Sequence, residues 1–156
     1  MMIRTTEHAE ATMRLAAELA SRLEPGDLLT LDGPLGSGKT CFVRGLARGL
    51  GVDPRDVSSP TFVLCHEYAG RDGLTLAHLD AYRLSGPEEL ETIGWEDLLA
   101  APDTILAVEW PSRIASALKG RSVIEIIFEH VDDCTRRIEF NVPESLRDRL
   151  EGFAHV

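Results

Sequence analysis

Nowhere in the 156 residues is there an apolar run near the ~18 residues that a membrane helix needs, and the start, "MMIRTTEHAE", lacks the apolar core of a signal peptide. The expectation is a cytoplasmic protein with no membrane partner. Cysteine is sparse as well: Cys41, Cys65 and Cys134 are odd in number and far apart, which excludes a CxxC metal pair and a disulfide framework, so all three are expected to be reduced. Positive charge is in deficit. A formal net charge of -10 repels a phosphate backbone and argues against a broad nucleic-acid surface on this chain alone. Any nucleic acid involved is expected to be held by a partner, and Arg44, Arg48 and the Arg136-Arg137 pair read as solvated faces. Internal repeats, low-complexity tracts and linkers are absent too, and at 44% hydrophobic and 27% charged residues the composition suits one folded domain over residues 1–156.

What is present is an alternation of strand-like and helix-like segments. Residues 9–23, "AEATMRLAAELASRL", place Met13, Ala16, Ala17, Ala20 and Leu23 near one face at helical spacing. "DLLTLDG" (27–33) is short and apolar on both faces, as a central strand is, and "KTCFVRGLARGLG" follows as a helix that stops at Gly51. "FVLCHEYAG" and "RDGLTLAHLD" read as a hairpin turning at Asp72-Gly73. Residues 85–100, "SGPEELETIGWEDLLA", open with Ser85, Pro87 and acids, the pattern of a helix start, with a break at Gly94. "TILAVEW" is another buried strand, "RSVIEIIFEHV" and "CTRRIEFNV" form a second hairpin, and "PESLRDRLEGF" closes as a short helix. The fold class expected is a three-layer α/β fold of the P-loop NTPase kind, its largely parallel sheet extended by antiparallel strands.

Residues 33–40, "GPLGSGKT", match GxxxxGK[ST] in full, with a strand before and a helix after. The chemistry needs each residue type. Without Cβ atoms, Gly36 and Gly38 let successive backbone N–H groups, that of Ser37 among them, turn toward phosphate oxygens, and the helix adds its positive amino end. Lys39 then neutralises the β and γ oxygens, the Thr40 hydroxyl is placed to ligate Mg²⁺, and the backbone N–H of Cys41 lies near the α-phosphate. ATP and Mg²⁺ are the ligands expected.

Hydrolysis also requires an acid at a neighbouring strand end. Two qualify: Asp80 ends "LTLAHLD" and Glu109 ends "TILAVE". Thr61, in "SSPTF" between the loop helix and Asp80, occupies the place of a switch threonine. His78 shares a sheet face with Asp80 and reads as a buried, hydrogen-bonded histidine.

Together, "GPLGSGKT", "SSPTFVL", "HLDAYRL" and "VEWPSR", in this order and in so short a chain, resemble the TsaE family, as does "GPEELETIGWEDLL" after the second motif. The resemblance covers most of residues 27–113. It implies an ATPase, slow alone, that serves threonylcarbamoyladenosine formation at position 37 of tRNAs reading ANN codons. It would act on a complex of TsaB and TsaD, with tRNA held through those partners. By the same resemblance, Lys39 and Thr40 are the phosphate and Mg²⁺ contacts, Thr61 the switch residue, Asp80 the Walker B acid and Glu109 the second metal-site acid. Trp110 would pack the edge of the site, and residues 6–12 and Arg137 would approach the nucleotide. Cys41 departs from the family, which often has a second threonine there, and "GWEDL" departs from its "GxxDY". The rival reading is a small-molecule or nucleotide kinase, but between Asp80 and Glu109 only Arg83 is available for the arginine-bearing lid that such an enzyme uses.

Overall fold

The computed structural model describes residues 1–57 and 64–153. In chain order it contains β1 (Met2–Thr6), α1 (Ala9–Ala20), β2 (Leu28–Asp32), α2 (Lys39–Gly49), β3 (Cys65–Ala69), β4 (Thr75–Asp80), α3 (Trp95–Ala100), β5 (Thr104–Glu109), α4 (Ala115–Leu118), β6 (Val123–His130), β7 (Arg136–Asn141) and α5 (Arg147–Leu150). The strands form one sheet in the order β1-β7-β6-β2-β5-β4-β3. Its centre is parallel, with β2 between β5 and β6 and β4 beyond β5, and it is extended antiparallel by β3 at one side and by β7 and β1 at the other. This is the α/β class expected of the sequence. The notable addition is β1, "MIRTT", which is short and lacks apolar alternation although Ile3, Thr5 and Thr6 are strand formers.

Side-chain alternation along the strands sorts the sheet into two faces. Leu29, Leu31, Leu76, Ile105, Ala107, Ile124, Ile126, Ile138 and Phe140 pack against α1 and α2. On the other face Leu28, Ala77, Leu79, Leu106 and Val108 pack against Leu90, Trp95 and Ile114. This second layer stops at β2. Beyond it the outer face of β6 carries exposed Glu125 and Glu129, and a cleft of about 760 Å³ lies at the step, between Leu118 of α4 and Ile127 of β6.

The first layer seats closely because its helices meet through small residues. A Cβ at Gly45 would lie 2.4 Å from the Met13 carbonyl oxygen, and one at Gly49 would lie 2.6 Å from Ala20 Cβ. Two expected helices differ in detail. The first ends at Ala20 rather than Leu23, where the Ser21 hydroxyl turns back to donate to the Glu18 carbonyl at 2.7 Å. Residues 87–93 form a 3₁₀ turn, and Gly94 in the left-handed region (φ 73°) separates it from α3. All three cysteines are free thiols, and among the described residues no helix is long and apolar enough to cross a membrane.

Candidate functional site

At the carboxyl end of the central strands, the rows facing α1 and α2 change from apolar to polar. On β4 the row runs Leu76, His78, Asp80, and on β5 it runs Ile105, Ala107, Glu109, with Asp80 directly opposite Glu109 across the parallel pair. Leu31 of β2 is the other register partner of Glu109, and the chain leaves β2 into the glycine-rich loop two residues later. Topology alone therefore brings the loop beside both acids.

In the loop, Gly36 (φ 73°) and Gly38 (φ 104°) take left-handed backbone that other residues rarely adopt. Gly38 caps α2 without a side-chain acceptor, so the first N–H groups of the helix have no capping side chain. The Lys39 ammonium is buried and donates to the carbonyl oxygens of Gly33 and, at 3.2 Å, Pro34. It also lies 4.0 Å from the centroid of the Trp110 ring. Burial lowers its pKa below the ordinary lysine value, against the opposing pull of Glu109, Asp32 and Asp80. Ser37 is 1% exposed, and its hydroxyl has no hydrogen-bond partner among the described residues.

Glu109 is 3% exposed and accepts a hydrogen bond of 2.7 Å from Nε2 of the fully buried His78. Burial pushes the Asp80 carboxyl above the ordinary aspartate value, opposed by the Tyr82 backbone N–H, which donates to Asp80 Oδ1 at 2.9 Å. Trp110, directly after Glu109, has φ 57° and ψ 55°, a left-handed conformation that is uncommon for a bulky residue. Its ring packs on Tyr82 at 4.9 Å, and the Arg113 guanidinium lies over Tyr82 at 5.6 Å.

The structure thus places Gly36, Ser37, Gly38, Lys39, Thr40 and Cys41 in the loop and first turn of α2, with Lys39 beside Asp80 and Glu109. Thr61 lies outside the described residues. Arg137 is turned away: it sits on the outer sheet face, bonded to Glu129 at 2.8 Å and near Glu139 at 3.6 Å. Its neighbour Arg136 takes the inner face and donates to the Gly36 carbonyl at 3.4 Å. The alternation of "RRIEF", with Ile138 in the core, contains the signal that selects Arg136. Arg136 also lines a cavity of about 300 Å³ beside Gly38 and Cys41, shared with His8, Thr12 and Cys134. His8 lies in the segment 6–12 expected to approach the nucleotide and Tyr82 in "HLDAYRL", whereas Cys134 belongs to no motif. Arg44 and Arg48 are engaged as well, by the Val57 carbonyl at 3.1 Å and by Glu10 at 2.9 Å.

A glycine loop between a central strand and a helix, in a sheet of this order, defines a P-loop NTPase-like α/β protein. The profile of the family described as "Threonylcarbamoyl adenosine biosynthesis protein TsaE" matches residues 6–138. The chain belongs to this TsaE family, which is involved in threonylcarbamoyladenosine biosynthesis on tRNA. It is 48% identical over 145 residues to the tRNA threonylcarbamoyladenosine biosynthesis protein TsaE of Streptomyces coelicolor, covering 91% of this chain and 85% of that one. It is 39% identical over 136 residues to the protein of the same description from Bacillus subtilis, covering 86% and 82%. A crystal structure of Bacillus subtilis YdiB superposes with a TM-score of 0.73 at 30% identity, over 97% of this chain and 93% of that one.

Proposed function

We propose that this protein is a magnesium-dependent ATPase that drives a step of threonylcarbamoyladenosine formation at position 37 of tRNA by acting on a TsaB–TsaD complex. One observation carries the ATPase reading: the buried loop lysine, Lys39, shares its electrostatic environment with two strand-end carboxylates, Asp80 and Glu109, that face each other across β4 and β5. An ammonium held on its own loop's carbonyls has donors ready for phosphate oxygens. The uncapped α2 amino end supplies further donors at the same place.

The donor set fits Mg²⁺. A hydroxyl and carboxylates are hard oxygen ligands, and a nucleotide-bound Mg²⁺ takes only one or two protein carboxylates together with phosphate and water. Thr40 and Glu109 would hold it, with Asp80 beside them. When bound, the metal would supply charge compensation for the phosphate oxygens. The protein's own residues do the rest: Lys39 neutralises phosphate, Asp80 serves the metal or the attacking water, Thr61 senses the γ-phosphate, and the wall of Trp110 and Tyr82 limits water access. The cavity of His8, Thr12, Cys41, Cys134 and Arg136 borders Gly38 and Cys41 and would suit the nucleoside if the Cys41 N–H meets the α-phosphate. The engagement of Arg44, Arg48 and Arg137 within the chain supports contact with tRNA through the partners.

Phosphate release measured with magnesium, with EDTA, and with TsaB and TsaD added tests this reading. The expected result is slow magnesium-dependent release by the chain alone and faster release with both partners. Release that neither partner alters would contradict it, and phosphorylation of a small acceptor would favour a kinase.

A further inference from the structure

We propose that His78 is a positioning residue for Glu109: its imidazole fixes one carboxylate oxygen so that the other is aimed at the metal and phosphate site. The proposal rests on the nucleotide and metal reading given above.

His78 and Glu109 are diagonal neighbours on adjacent parallel strands, since His78 is in register with Ala107 and Asp80 with Glu109. Both point toward the α2 face, and both are buried, at 0% and 3% exposure. Nε2 donates to Glu109 Oε2 at 2.7 Å, and among the described residues no other hydrogen bond reaches that carboxylate. One oxygen is thereby fixed, and the side chain cannot rotate without losing its donor. The other oxygen keeps its acceptor capacity.

Two features distinguish this pair from one that merely joins β4 to β5. The strands are already joined by a backbone ladder from Thr75↔Thr104 to Asp80↔Glu109, and the residues below in the same rows, Leu76 and Ile105, are apolar. Replacing a buried polar pair with apolar packing of the same shape is commonly neutral or stabilising, so stability alone gives little reason for a histidine and a glutamate here. Moreover, Nδ1 of His78 is buried with no partner among the described residues. Leaving a buried polar atom unpaired works against the fold. Carboxylates that ligate metals are themselves held by hydrogen bonds from outer groups, and loss of such a donor weakens metal binding without removing a ligand.

The test measures magnesium affinity in the complex with a non-hydrolysable ATP analogue, by calorimetry, alongside analogue affinity in EDTA and the thermal midpoint. In His78→Leu, which keeps apolar volume and loses the donor, magnesium affinity should fall by ~10–100-fold while analogue affinity in EDTA stays near that of the parent. His78→Gln, whose amide reaches the Nε2 position, should restore most of the loss, and the shorter amide of His78→Asn should not. Adding His78→Leu to Glu109→Gln should cost little more than Glu109→Gln alone. In the parent, the ¹⁵N-histidine resonance of the Nε2–H should move when magnesium is added to the analogue complex, a readout that needs no variant to fold. His78→Leu with parent-like magnesium affinity, when Glu109→Gln has lost it, overturns the positioning role and leaves the metal site intact. Unchanged magnesium affinity in Glu109→Gln overturns both.

Discussion

The two ends of the parallel sheet treat buried charge in opposite ways. At the amino end of β2, Asp27 is 8% exposed and both of its oxygens are engaged: Oδ2 accepts from the Glu24 N–H at 2.8 Å and Oδ1 from Arg149 at 2.7 Å. Arg149 also reaches Glu24 at 3.1 Å, so the group ties α5 to the loop before β2. At the carboxyl end, Lys39 is held by carbonyls of its own loop, the Ser37 hydroxyl and His78 Nδ1 have no partner among the described residues, and Trp110 has left-handed backbone. Matched charge at one end holds the chain together. Unmatched buried polar groups at the other work against stability beside the Lys39 ammonium and the uncapped amino end of α2.

Substitution at the two ends should separate these roles. The largest effect is expected at the carboxyl end. Glu109→Gln and Asp80→Asn should each slow magnesium-dependent ATP hydrolysis by at least ~100-fold, the scale of losing one preorganised electrostatic contact, with the thermal midpoint barely changed. A steady-state phosphate assay and a melting curve check both halves, and parent-like hydrolysis by either variant would make that acid structural.

At the amino end the pattern should reverse. Asp27→Ala leaves Arg149 without its buried acceptor and should cost about 2–3 kcal/mol, a fall in Tm of roughly 4–12 °C, while ATP affinity is retained. Gly45→Ala, remote from both ends, should cost less. Its methyl meets the Met13 carbonyl at the α1–α2 contact, and the gain in helix propensity offsets part of the overpacking, leaving a net loss of about 1–2 kcal/mol by denaturant titration.

The smallest effect is one of pH. Burial raises the Asp80 carboxyl in the native state, so the native protein takes up that proton more readily than the unfolded chain. This contribution favours folding below the ordinary aspartate range and is lost as pH rises through the raised native value. Asp80→Asn should therefore be slightly more stable than the parent at neutral pH, with the difference closing in acid. Melting curves at the two pH values decide it, and a gap that widens in acid would contradict the assignment.

Much of this contrast was legible in the sequence. "GPLGSGKT" and the two acids closing apolar runs are positional signals, because in an open parallel sheet a residue at the end of a buried strand can only lie at the carboxyl edge. The hairpin of β6 and β7 was legible from its alternation, yet the choice between Arg136 and Arg137 required applying that alternation to the site. Three features lay beyond the sequence. β1 has β-branched Ile3, Thr5 and Thr6 but no apolar alternation to mark it, and it is a strand where β7 offers it an edge. The closeness of α1 and α2 depends on Gly45 and Gly49 meeting Ala16, Ala17 and Ala20, which are a long way off along the chain. The bond from His78 to Glu109 joins strands whose register no local pattern fixes.

A nucleotide site built around Lys39 at the carboxyl end of the sheet is tested most directly by ligand-induced thermal stabilisation. A ligand bound only by the native state at ~100 times its Kd adds about 2.7 kcal/mol of stability. Mg-ATP should raise the Tm of the parent and of Asp27→Ala by similar amounts. It should raise that of Lys39→Ala by about half as much or less, since losing the charge-assisted phosphate contacts weakens binding at least ~10-fold. No shift in the parent, or an equal shift in Lys39→Ala, would contradict the account.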